Sequence, residues 1–142
     1  MRKLIDCFLR EKSGASAVEF ALVLPVFMLV MLGIIAYGIY FGATHSVQQL
    51  AADAARASVA GLSDPERARI ASRHVTENAR QYALLDVGHV SVEAGPVASD
   101  ATQFRVAVFY DASSLPIWAI GPILPLPSRT IARAAVVKRG GY

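Results

Sequence analysis

The chain has 142 residues, of which 54% are hydrophobic, with a mean hydropathy of +0.42 and a formal net charge of +3. That length holds one compact domain at most beside a membrane segment, and the composition is too apolar for an ordinary soluble domain. Acidic and basic residues alternate without a Lys/Arg stripe, which excludes nucleic acid as an expected partner, and the single cysteine, Cys7, excludes a disulfide framework.

In chain order, residues 1–14 form a basic leader, with Arg2, Lys3, Arg10 and Lys12 against Asp6 and Glu11. Cys7 is no lipoprotein site, since Asp6 precedes it and no apolar run leads up to it. Residues 20–43 (FALVLPVFMLVMLGIIAYGIYFGA) then carry no charge. As a helix they rise about 36 Å, enough for the ~30 Å hydrocarbon core of a bilayer with some tilt. A cleaved secretory signal places small residues after its apolar core. Here Gly14, Ala15, Ser16 and Ala17 come before it, so the run reads as a retained anchor, with the transmembrane helix expected over residues 15–45.

Basic residues flank the run mainly on its N-terminal side, which places the N-terminus in the cytoplasm and residues 46–142 outside. Pro25 leaves the carbonyl of Ala21 without a helical donor and predicts a kink or local unwinding. Gly38 and Gly42 form a G-x-x-x-G step, with Gly33 before it, a spacing that lets another helix approach closely.

The junction Gly14-Ala15-Ser16-Ala17-Val18-Glu19-Phe20 sets a carboxylate at the mouth of the apolar helix. That is costly unless the carboxylate is paired or held at the membrane interface. This stretch resembles the processing site of prepilins, which are cut after Gly and keep Glu as the fifth mature residue. The cut then falls after Gly14, Ala15 becomes the N-terminus and Glu19 is fifth. Phe20 stands where tight-adherence (Flp-type, type IVc) pilins usually carry Tyr. The wider run GASAVEFALVLPVFMLVMLGIIAYG is similar to the opening of the TadE-like minor pilin, or pseudopilin, family, G-x-x-A-V-E-F-A-L-x-x-P, over residues 10–45. TadF-type proteins share this opening.

The resemblance implies a bacterial inner-membrane, single-pass pseudopilin with its C-terminal domain in the periplasm, taking part in the biogenesis of a tight-adherence pilus. It implies a prepilin peptidase, other pseudopilins (TadF-like or TadG-like), the major pilin and the inner-membrane assembly platform as partners, besides the lipid bilayer itself. A new α-amino group, with a pKa near ~8, would be largely cationic, and the Glu19 carboxylate would pair with a neighbouring subunit's amine to set register.

Beyond the membrane the helical pattern continues over 45–60, with Val47, Leu50, Ala54 and Ala57 on one face and Gly61 as its stop. Ser63, Pro65 and Glu66 open a second helix as cap, first-turn proline and capping box; its apolar face is Ala68, Ala71, Val75, Ala79 and Tyr82, and it extends to about Leu85. Period-two alternation predicts strands over 87–94, ended by Gly95-Pro96, then 103–111 and 129–138. Residues 113–128 read as loop, broken by Pro116, Pro122, Pro125 and Pro127. The expected fold class is α+β: a long N-terminal helix, a second helix and a small three-stranded antiparallel sheet. The apolar loop 115–127 either folds back over the sheet or stands exposed as a contact, and in the second case Trp118 is its anchor.

His45, His74 and His89 share no metal-ligand spacing, and no phosphate loop or nucleophile elbow occurs. Neither enzyme, metal nor cofactor is expected. Arg73 and Glu77 have the spacing of a surface ion pair. The competing reading is an uncleaved single-span anchor carrying a periplasmic binding or adaptor domain.

Overall fold

A computed structural model of the chain describes residues 12–138. Leader residues 1–11, with Cys7, and residues 139–142, with Gly140 and Gly141, lie outside the described residues. The elements are α1 (Lys12–Ser58), α2 (Asp64–Asn78), β1 (Val90–Val97), β2 (Asp100–Asp111) and β3 (Thr130–Lys138), the expected α+β class. The described chain divides between Ala36 and Tyr37 into two compact units.

In the first unit α1 is apolar and exposed on every side, from Val18 through Leu22 and Val26 to Ile35. A helix without a polar face has its stable place in an apolar surrounding. Of the described helices α1 is the one long and apolar enough to cross a membrane. It is assigned as a single helix through Pro25, although the proline supplies no N–H to the carbonyl of Ala21.

The second unit begins within the range expected to lie in the membrane. Ala43, Val47, Leu50, Ala51, Ala54 and Ala55 are wholly buried, one stripe at helical spacing. Ala57, expected on that face, is half-buried. Most of the stripe is alanine, whose small side chain lets the helix backbone come close to whatever it covers. Ser58 is also buried, and its hydroxyl donates to the carbonyl of Ala55 at 2.7 Å, so its burial leaves no polar atom unpaired.

The corner after α1 is tight. Gly61 donates its N–H to Ser58 at 3.0 Å and accepts from Arg67 Nε at 2.9 Å. A Cβ built on Gly61 would sit 2.8 Å from the backbone nitrogen of Arg67. Ser63 caps α2, accepting from Glu66 N at 3.4 Å. Glu66 reaches back not to Ser63 N, as a capping box has it, but to Leu62 N at 3.0 Å. Helix α2 stops at Asn78, earlier than its composition suggests. A 3-10 turn, Ala79–Gln81, follows, and Leu84 then takes a left-handed φ of 66° that no helix continues through.

The sheet is an antiparallel meander in the order β1-β2-β3, with Val92 opposite Val108 and Tyr110 opposite Ile131. Its inner face buries Phe104, Val106, Val108, Tyr110 and Ile131. Each fully buried large side chain contributes about 1.5–3 kcal/mol relative to exposure. Strand β1 starts at Val90, because Asp86 caps a 3-10 turn over Val87–His89, and it runs through Gly95 and Pro96 to a register shift at Pro96/Val97. Pro96 is tolerated because β1 is an edge strand, where one missing N–H costs no ladder bond. The outer face carries Glu93, Arg105, Ala107, Phe109 and Ala134. Part of it, Glu93, Gly95, Arg105 and Ala107, lines a cleft of about 260 Å³.

Candidate functional site

The residues singled out at the junction sit in the first described turns of α1. Gly14, Ala15, Glu19 and Phe20 are all exposed, Phe20 by 65%. Four residues of helix rise about 6 Å and return to nearly the same face, so the Ala15 backbone nitrogen and the Glu19 side chain share one side of α1. Glu19 is the single Asp, Glu, Lys or Arg between Lys12 and Asp53. No hydrogen bond or ion pair of Glu19 occurs among the described residues. A Cβ on Gly14 would meet nothing within 4 Å.

The other residues expected to act fall in the second unit and are not brought together. Gly38 is open, since a Cβ there would meet nothing within 4 Å, whereas a Cβ on Gly42 would lie 2.9 Å from Cδ1 of the chain's own Leu84. The two halves of the G-x-x-x-G step thus differ: one is free for a neighbour and the other is covered from within. Trp118 is half-buried, its indole nitrogen donates to the carbonyl of Ala112 at 2.6 Å, and the Arg129 guanidinium lies 5.1 Å from its ring centroid. Leu115 and Ile117, in the same loop, are buried, while Ile123 is 66% exposed. The loop therefore does both things that its composition allowed, covering the core at one end and standing out at the other.

Three contacts in this unit had no clear sequence signal. Tyr37 and Tyr40 donate their hydroxyls to the carbonyls of Pro125 and Ser128, at 2.7 and 3.1 Å. Their i, i+3 spacing at the end of an apolar run was the available hint, since a tyrosine there brings a hydroxyl that needs a partner. The third is a polar knot in which Asp53 accepts from the Tyr82 hydroxyl and pairs with Arg56. The hydrogen bond from Tyr82 lowers the Asp53 carboxyl below its ordinary range. Burial, helped by the Asp53 charge, pushes the Tyr82 phenol up to about 12.

No group of three or more His, Cys, Asp or Glu side chains able to hold a metal occurs among the described residues. His89 pairs with Asp86 at 3.0 Å, and His45 with Gln49 at 3.0 Å. Arg73 and Glu77 do not form an ion pair, whereas Arg67 lies 3.9 Å from Asp64. The Arg-before-Glu order is the weaker one at i, i+4.

The family model described as TadE-like protein matches residues 14–56. No curated protein and no solved structure matches the chain. The matched segment opens on Gly14, includes Glu19, Phe20 and Pro25, and ends two residues before α1 does. The sheet and α2 lie beyond it. Residues 14–56, most of the long apolar helix, are thus what this chain shares with the TadE-like family.

Proposed function

We propose that the chain is a minor pilin, or pseudopilin, of a tight-adherence (Flp-type) pilus, anchored in the bacterial inner membrane by α1 and trimmed after Gly14 by a prepilin peptidase. It takes part in starting or capping the filament beside other pseudopilins, the major pilin and the assembly platform. The leader residues 1–14 face the cytoplasm, held there by their basic side chains, and the α+β domain lies in the periplasm. The observation that carries this reading is the junction: Gly14, Ala15 and Glu19 at the head of a TadE-like helix whose apolar surface is exposed all round.

Cleavage requires the helix to open at the scissile bond. Gly14 favours that, since glycine costs a helix about 1 kcal/mol relative to alanine. The new amine at Ala15 is largely cationic near neutral pH. Glu19 sits one turn away on the same face, within an otherwise uncharged run, so each group is a charge in need of a partner. In a bundle of such helices, a neighbour's amine meets Glu19 in one stagger only. Other staggers leave Glu19 only its own chain's amine, one turn away, so the pair between neighbours selects register more than it adds stability.

Deleting the chain from a piliated strain and complementing it tests the role. Surface pili should vanish and return with the full chain, but not with Gly14→Leu, which blocks processing. Normal piliation without the chain would refute the proposal.

A further inference from the structure

Residues 115–127 (LPIWAIGPILPLP) contain no charged side chain. In the second unit this loop is tied to α1 by the tyrosine bonds from Tyr37 to Pro125 and from Tyr40 to Ser128. Those tyrosines belong to the first turn of α1 in that unit. Counted from Phe20, the first uncharged residue after Glu19, a hydrocarbon core of ~30 Å is used up at about residue 40. If α1 spans the bilayer, the loop is fastened to the part of the helix that leaves hydrocarbon.

Its chemistry suits that level. Backbone N–H groups are costly away from water, and the loop has few to satisfy. Pro116, Pro122, Pro125 and Pro127 have none, and those of Gly121, Ile123 and Leu124 donate within the loop at 3.0–3.1 Å. Ile123, in the middle of this stretch, is 66% exposed. Tyr37, Tyr40 and Trp118 form the aromatic set that favours a membrane–water boundary, and Arg129, over the Trp118 ring, offers a cation to lipid phosphates.

We infer that the exposed part of this loop, around Ile123, inserts into the outer interface of the bilayer that α1 crosses, a second membrane contact that fixes the attitude of the α+β domain on the lipid surface. The inference rests on α1 spanning the membrane. It makes residues 37–45 an interfacial collar and leaves the lipid-spanning part of α1 to end near Ala36–Tyr40.

The test uses the full chain in nanodiscs of phosphatidylethanolamine and phosphatidylglycerol, with Cys7→Ser as background and one fluorophore-labelled cysteine at a time. Ile123→Cys reports the loop, Leu29→Cys the middle of α1, and Ser99→Cys the β1–β2 turn, at the other end of β2 from the loop. Labels at 29 and 123 should be quenched by nitroxide-bearing lipid and shielded from aqueous iodide several-fold better than the label at 99. Iodide quenching at 123 equal to that at 99, with 29 still lipid-quenched, would overturn the inference and leave the anchor standing. Shielding of 123 from both quenchers would assign the loop to a protein neighbour and overturn it equally. Absence of lipid quenching at 29 would remove the membrane span itself, and the inference with it.

Discussion

Replacing Gly61 by alanine should destabilise the second unit by about 2 kcal/mol, for a reason that the α1–α2 corner makes explicit. An added Cβ would lie 2.7 Å from Arg67 Cγ, 2.8 Å from Arg67 N and 3.0 Å from Arg67 Cα. Ordinary contact begins near 3.4 Å, so the first turn of α2 would have to retreat by about 0.6 Å. That turn is held by Arg67 N on the Ser63 carbonyl at 2.9 Å and Arg67 Nε on Gly61 itself at 2.9 Å. Overpacking of this kind costs about 1–3 kcal/mol, and loosening the hydrogen bond to Gly61 adds about 1. Gly61 has no positive φ, so alanine recovers about 0.4–1 kcal/mol by restricting the unfolded chain. Gly42→Ala is the internal control, because its Cβ would meet only Leu84 Cδ1, at 2.9 Å, the end of a side chain that can turn aside. There the helix-propensity gain of up to ~1 kcal/mol should leave stability unchanged or raised. Urea unfolding of the full chain in mild detergent, followed by the emission of Trp118, measures both. A Gly61→Ala midpoint equal to or above that of the parent would refute the packing argument.

The polar knot predicts a pH response. Tyr82 titrates near 12 when folded and near 10 when unfolded, so its stabilisation is complete below about pH 10 and fades as pH rises towards 12. The tyrosinate absorbance of Tyr82→Phe should lack one late-titrating phenol, and a spectrum unchanged at the alkaline end would contradict this. Asp53, lowered by the same bond, gives stability that is present above about pH 4 and is lost as pH falls through its depressed pKa. Tyr37→Phe with Tyr40→Phe should cost about 2 kcal/mol, near 1 per hydrogen bond, and shift Trp118 emission as the loop loosens; an unmoved urea midpoint would count against the tie. Gly38→Leu and Glu19→Gln should leave the unfolding midpoint within about 0.5 kcal/mol but reduce incorporation into the pilus complex, read by co-purification with partner pilins. Undiminished incorporation of both would remove these residues from assembly.

The family resemblance at the head of α1 was legible because it is written in nearby residues: Gly14, Ala15 and Glu19 need no tertiary neighbour to stand in order, and the family match opens on Gly14. The α1 face, the Ser63 cap and the alternations of β2 and β3 were legible too, because burial follows helical and strand periods directly. What was hidden depends on partners distant in sequence. Residues 79–85 read as helix from their composition, yet the chain turns there so that Tyr82 can reach Asp53 and Leu84 can cover Gly42. Pro96 looked like a strand breaker and is an edge-strand residue instead, because nothing pairs on its outer side among the described residues. The acceptors of Tyr37 and Tyr40 are backbone carbonyls, which have no residue signature at all. The loop 115–127 could not be read as buried or exposed because it is both, with Leu115 and Ile117 inside and Ile123 outside.

The bond between Gly14 and Ala15 is where a pilin-like subunit and an uncleaved anchor differ most directly. Chemical sequencing of the N-terminus of the protein purified from the membranes of a pilus-forming host should begin Ala-Ser-Ala-Val-Glu, with Glu19 in the fifth cycle. A sequence that begins at Met1 in those membranes, where the major pilin is itself processed, would contradict the assignment as a pilin-like subunit.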